Sequence, residues 1–316
     1  MATQATSLGA IIIGTPLALL FTGVLIVQCI IYWKTARAGD TWRTETLVIS
    51  LLLMDLLHSV FLWTASWRWF ITDRGQDPDK IPITLPLSIF VTSISTLMAH
   101  SMYSWRIFKL THRNYWITFP IITLAVLRVV SAIFTGTYMI HLKSFVSFRS
   151  TIGWVFSLGL GLSCTVDILI TSTMMYILKQ SRAKSLSLDT VIDSLIIYTL
   201  ENGAVTALAT VVSLICWVSM RNLIFLSLYF VIAKLYANSV LAMLNYRPIL
   251  RRTGESTSRS GGAVDLEVIR FRNTYSGRSG IQLTSTTPVP AVEVNVNKTM
   301  QMHTDSVDDV NPEFKG

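Results

Sequence analysis

The stretch Leu8–Trp33, LGAIIIGTPLALLFTGVLIVQCIIYW, contains no charged residue, and its reading decides the fold. About 20 apolar residues carry an α-helix across the hydrocarbon core of a bilayer, and this run is longer. It lacks the basic start of a cleavable signal peptide and outruns the usual apolar length of one, so it reads as a first span. Six more apolar runs follow it. Thr46–Trp67 holds only Asp55 and His58 as ionisable groups, and Ile83–Trp105 only His100. Tyr115–Ile140 carries Arg128, and Thr151–Leu178 carries Asp167. Val191–Met220 has Asp193 near its start and Glu201 deeper, and Asn222–Tyr246 carries Lys234. Lipid offers the backbone no hydrogen-bond partner, so each run must be a helix. The expected fold is all-α, a seven-transmembrane-helix bundle over residues 1–248. Residues 249–316 contain few large apolar side chains and read as a disordered tail.

Composition points the same way. The chain is 51% hydrophobic and 14% charged, where soluble domains carry about 25% charge. Its mean hydropathy is +0.52. A net charge of +8 could suggest a nucleic-acid partner, but the basic residues sit in short loops between apolar runs. The loops after the first, third and fifth runs, with the start of the tail, hold twelve Lys and Arg against six in the alternate loops. The richer side faces the cytosol, which puts the N-terminus outside and the tail inside. The plasma membrane is the expected location, an endomembrane the alternative. Arg251 and Arg252 stand where they can touch anionic lipid. Tyr32, Trp33, Trp42, Trp105, Tyr115, Trp116, Tyr176 and Tyr246 form the expected cytosolic aromatic belt. Trp63, Trp67, Trp69, Trp154 and Trp217 form the outer one. Cys29, Cys164 and Cys216 all lie inside apolar runs and read as small hydrophobes.

An ionisable group at the bilayer centre costs at least about 2.5–3.5 kcal/mol, so each is a candidate functional residue. The set is Asp55, His58, His100, Arg128, Asp167, Glu201 and Lys234, joined by the amides Asn202, Asn238 and Asn245. Ser227, Lys234, Asn238 and Asn245 recur along one helical stripe of the seventh run. The short connection back to the sixth run suggests Glu201 and Asn202 as partners of Lys234 and Asn238. Asp55 and His58, at i and i+3, share a face and can join the same network. Against this stands a plainer reading, in which buried charges pair and amides fasten helices together. Gly159 and Ser163, four apart, read as small-residue packing.

Sharper chemistries find little support. A lysine in a seventh helix suggests a retinal Schiff base, but Phe230 occupies the position four residues earlier and the third run has no acid. Zinc needs about three ligands, and only His58 and His100 lie in the membrane. Rhodopsin-like receptors carry Asp/Glu-Arg-Tyr after the third span, where this chain reads Tyr103-Ser104-Trp105-Arg106. No cofactor, metal or catalytic residue is expected.

Several motifs together resemble a large fungal family. They are Met54-Asp55-Leu56-Leu57-His58, Tyr103-Ser104-Trp105-Arg106-Ile107, Val166-Asp167-Ile168-Leu169-Ile170 and Tyr198-Thr199-Leu200-Glu201-Asn202-Gly203. The most specific is Ala233-Lys234-Leu235-Tyr236-Ala237-Asn238-Ser239, followed by Leu244-Asn245. The chain is similar, over roughly residues 8–250, to the seven-helix integral membrane proteins of mushroom-forming fungi, catalogued as a domain of unknown function. The resemblance implies a membrane location and a seven-helix fold, and it carries no ligand or reaction. The leading expectation is a receptor-like or sensory protein, with a small-solute or proton-coupled carrier and a ligand-free scaffold as alternatives.

Overall fold

A computed structural model describes the backbone of residues 2–37, 40–73, 79–111, 113–182, 189–220 and 222–259. Side chains are described for 6–37, 40–73, 79–111, 113–180, 203–220 and 222–248. These residues form helices α1 (Ala2–Ile31), α2 (Trp42–Trp67), α3 (Thr84–Leu110), α4 (Tyr115–Leu142), α5 (Phe145–Arg182), α6 (Asp189–Ser219) and α7 (Ile224–Arg259). Wider π-helical turns, Tyr32–Ala36 and Arg68–Thr72, prolong α1 and α2. The described residues contain no strand beyond an isolated bridge between Lys80 and Ser144. Among the described residues six helices are long and apolar enough to cross a membrane. In α6 the described apolar segment, Gly203–Ser219, is shorter. The last helix runs through Pro248 to Arg259, past Tyr246 where the apolar run ends. Pro248 itself adds no backbone hydrogen bond, and the Leu244 carbonyl one turn earlier accepts instead from Arg247 Nε at 3.2 Å. The remainder of the expected tail, and the orientation of Arg251 and Arg252, lie outside the described side chains.

Neighbours in sequence pack as neighbours in space from α1 to α7, and α7 closes the ring against α1. Helix α7 also touches α2 and α3, and α3 touches α5, so α3 and α7 are the most enclosed members of the ring. Burial follows from this. In the apolar window of α7, 72% of residues are buried, against 28% in α4, whose sides face outward. Gly14 of α1 lies where any Cβ would strike Ser227 of α7, so that crossing needs glycine. The two helices run parallel. Asn238 meets the Phe21 carbonyl and Asn245 meets the Gln28 carbonyl, seven residues further along both chains.

One end of the bundle is fastened through its connections. The Asp79 carbonyl accepts from Phe145 N at 3.0 Å and its carboxylate from Val146 N at 2.8 Å, which caps the start of α5. Arg149 in the next turn donates to the Met220 carbonyl at 2.8 Å and also to Trp217 O, satisfying the free carbonyls that end α6. The same guanidinium lies 4.6 Å from the Trp217 ring centre. Trp217 packs among Phe156, Phe225 and Phe148 and donates its indole N–H to Ser157 Oγ at 2.8 Å.

The aromatic belts therefore need correction. Trp217 and Trp69 are buried in the core and not at the lipid interface, because each indole N–H has a protein acceptor. Tyr32 is also buried. Its hydroxyl donates to Asp40 Oδ2 at 2.9 Å. Trp63, Trp67 and Trp154 remain exposed at one end, and Trp42, Trp105, Tyr115, Trp116 and Tyr176 at the other.

Candidate functional site

Lys234 lies near the middle of α7 with no exposed surface at all. Its ammonium must therefore find its partners within the protein. Nζ donates to the Asp55 carbonyl at 2.8 Å and to Ser59 Oγ at 2.7 Å. It stands 3.1 Å from Asp55 Oδ2 as an ion pair. Two hydrogen bonds and one ion-pair contact thus engage the ammonium, all from α2. Ser59 in turn bonds the Asp55 carbonyl at 2.9 Å and shares a proton with Thr22 of α1, also at 2.9 Å. This cluster ties α1, α2 and α7 together.

Among the described side chains the partner of Lys234 is therefore Asp55. The reason is geometric, since the buried position of α7 gives its polar groups access to α1 and α2 as well as to α6. The side chains of Glu201 and Asn202 lie outside the described residues. His58 departs from expectation too. It is buried one turn from Asp55, yet neither ring nitrogen has a hydrogen-bond partner.

A second cluster forms on another side of α7. Tyr236 donates its hydroxyl proton to Asp167 Oδ2 at 2.6 Å, and a hydroxyl–hydroxyl bond of 2.9 Å joins it to Ser163. His100 Nε2 lies 3.2 Å from Asp167 Oδ1, and its ring stands edge-on to Tyr236 at 5.3 Å. Both oxygens of Asp167 are thus engaged, by α3 and by α7, while His100 Nδ1 has no partner. The structure brings His100 and Asp167 together. It adds Tyr236 and Ser163, which the sequence had marked only as motif and packing residues.

Asn238 and Asn245 behave as fasteners. Each donates from Nδ2 to a carbonyl of α1, at 3.1 Å and 2.9 Å, and Asn238 also to the Lys234 carbonyl at 2.9 Å. Their Oδ1 atoms are buried without partners. Arg128, on α4, joins neither cluster. It is buried and its Nη1 has no acceptor.

At the far end of α7, Arg247 grips Asp40 with two hydrogen bonds of 2.9 and 2.7 Å, and Asp40 also accepts from Tyr32. Loop, first helix and last helix are joined there. Beside it the exposed Arg37 is held charged, its pKa raised by hydrogen bonding to Glu45 at 2.8 Å. In the sequence nothing local sets Arg247 apart from the other basic residues that follow the seventh run.

The polar groups thus form two separate clusters and a clamp, all meeting on α7. The arrangement can hold charge and pass protons or hydrogen bonds between helices. Among the described residues no three His, Cys, Asp or Glu converge as a metal site. No curated protein and no solved structure matches the chain. Over residues 163–249, from the middle of α5 to the polar end of α7, the chain is similar to a family of unknown function, DUF6534.

Proposed function

We propose that this integral membrane protein is receptor-like or sensory, and that α7 is its moving part. The observation that carries this reading is the division of α7's polar contacts. Lys234 holds α2, and Tyr236 holds α3 and α5. A purely structural lock satisfies every buried member, since a half-satisfied network is worse than an apolar core. Here both nitrogens of His58, Nδ1 of His100 and Oδ1 of Asn238 keep unused capacity beside the occupied groups. Alternative pairings are within reach, and that makes a two-state element. Arg247 would carry a shift of α7 to the Asp40 loop at the same end of the bundle as the polar extension of the helix.

The finer topology belongs to the same proposal. Seven spans, an outer N-terminus and a cytosolic tail agree with the loop charges, and the parallel register of α1 and α7 supports an odd number of crossings. A plasma-membrane location, contact of Arg251 and Arg252 with anionic lipid and a fungal origin complete the reading.

The test places spin labels at Ala242 of α7, which is partly exposed, and at the exposed Tyr176 of α5, in cysteine-free full-length protein in nanodiscs. Two distance populations, with weights that change about tenfold in Asp55→Asn, would support the sensory reading. A single narrow population, the same in both proteins, would overturn it in favour of a scaffold. Proton flux into proteoliposomes would overturn it in favour of a carrier.

A further inference from the structure

Between Asp79 and Asp167 the sequence holds no Asp or Glu. Within this stretch α3 ends at Leu110 and α4 begins at Tyr115, so their connection lies at the level of the lipid headgroups. It carries Arg106, Lys109 and Arg113. Arg106 turns inward, to Met243 Sδ of α7. Lys109 and Arg113 are exposed, and among the described residues neither forms an ion pair. Two carboxylates described at this end are already engaged, Asp40 by Arg247 and Glu45 by Arg37. Among the described residues, then, nothing supplies the α3–α4 connection with a counter-charge.

Lys109 and Arg113 share one groove of about 500 Å³ with Trp105, Phe108 and Tyr115. Sites for small molecules commonly measure about 300–1,000 Å³, so a headgroup fits. Backbone geometry puts Arg113 there. Its N–H bonds the Phe108 carbonyl at 2.9 Å, closing α3, and its φ of 67° lies in the left-handed region that favours glycine. The turn needs only that backbone, and the guanidinium is an addition to it. Lys109 Nζ lies 4.0 Å from the centre of the Trp105 ring, which holds the ammonium against the groove wall. The rings of Phe108 and Tyr115 pack at 4.9 Å. The first turn of α4 contains no acid, so the positive end of that helix adds to the field of the two cations. This charge selects an anion. Aromatic walls at the depth where acyl chains meet their headgroups select a lipid over a free ion.

We infer that this groove binds the phosphate headgroup of an anionic phospholipid. Lys109 and Arg113 take the phosphate, and Trp105 and Tyr115 pack against the glycerol and the first carbons of the acyl chains. A guanidinium grips phosphate through a fork of two hydrogen bonds, and an ammonium adds a point charge. Basic pockets at the ends of spans are suited to acidic headgroups for that reason. The site is separate from Arg251 and Arg252. It rests on where α3 and α4 end and not on the sensory reading, and would serve a scaffold or a carrier equally.

The experiment is thermal unfolding of the purified full chain in a neutral detergent at fixed ionic strength, titrated with dioctanoyl phosphatidic acid. Above the dissociation constant, each tenfold rise in that lipid should raise the melting temperature by about 3–5 °C. Dioctanoyl phosphatidylcholine and inorganic phosphate should leave it unchanged. Lys109→Gln combined with Arg113→Gly removes both cations and keeps the fold, because glycine suits the left-handed turn. That variant should need about thirtyfold more phosphatidic acid, since each basic residue beside anionic lipid contributes about fivefold. Lys34→Gln combined with Arg43→Gln removes two exposed charges outside the groove and should leave the response in place. An equal response to phosphatidylcholine or to inorganic phosphate would overturn the inference. So would an undiminished response in the groove variant, or an equal loss in the Lys34 and Arg43 pair, which would assign the effect to diffuse charge.

Discussion

Asp55 and Asp167 are both carboxylates buried in the bundle, and both are held by α7, but they are held differently. Asp55 faces an ammonium, with Lys234 Nζ 3.1 Å from its Oδ2. Asp167 is held by the phenol of Tyr236 at 2.6 Å and by the imidazole of His100 at 3.2 Å. The first arrangement concentrates its energy in one partner. Removing that partner leaves a full charge alone in a low-dielectric interior. The second spreads the load over dipoles on two helices, so losing one donor leaves the other in place. The α2–α7 contact should therefore fail abruptly under substitution, and the α3–α5–α7 contact by degrees.

Lys234→Met provides the strongest test of that contrast. Breaking a buried pair typically costs about 3–5 kcal/mol, measured here as unfolding in mixed micelles. Adding Asp55→Leu to Lys234→Met removes the stranded charge and should recover most of the loss. The coupling energy from the double-mutant cycle then reports the pair itself. A loss below that of the next substitution would erase the distinction between the two clusters.

Tyr236→Phe takes one hydrogen bond from Asp167 and leaves His100 in place. Bonds to charged groups contribute about 1.5–3 kcal/mol, so a loss in that range is expected. Ser163→Ala removes only the neutral bond beyond it and should cost about 1 kcal/mol. Should Tyr236→Phe match Lys234→Met, Tyr236 and not His100 would be carrying the Asp167 charge, and the idea of a shared load would fail.

The helical, membrane-spanning character was legible in the sequence because lipid imposes a one-dimensional rule that a run such as Leu8–Trp33 satisfies by itself. The identities of the costly residues were legible for the same reason, since Asp55, Arg128, Asp167 and Lys234 stand out against apolar neighbours. The pairing was not. That Asp55 stands opposite Lys234 depends on how deeply α7 is inserted, and hydropathy does not encode that. The polar stripe marks one side of a helix that is buried on others too, since Ala233, Tyr236, Ala237, Val240 and Leu241 are buried as fully as the stripe. Tyr236 went unnoticed because tyrosine is ordinary in an apolar run until a carboxylate is found opposite. Trp69 and Trp217 misled for a related reason, as nothing local distinguishes an indole whose N–H meets lipid headgroups from one bonded to Lys80 or Ser157.

The smallest expected effect concerns neither carboxylate. Asn245→Ala removes a single 2.9 Å bond to the Gln28 carbonyl of α1. That carbonyl lies inside a continuous helix and keeps its own backbone partner, so its loss strands nothing new. Interhelical hydrogen bonds of this kind average about 0.6 kcal/mol in membranes, and a loss of that size is expected. Asn238 makes the comparison sharper. Its Nδ2 also bonds the carbonyl of Lys234, one turn earlier. Asn238→Ala should therefore cost somewhat more than Asn245→Ala, about 1 kcal/mol, if it acts only as a fastener. A markedly larger cost would mean that Asn238 sets the backbone carrying Lys234, and would bring the amide into the ion-pair cluster.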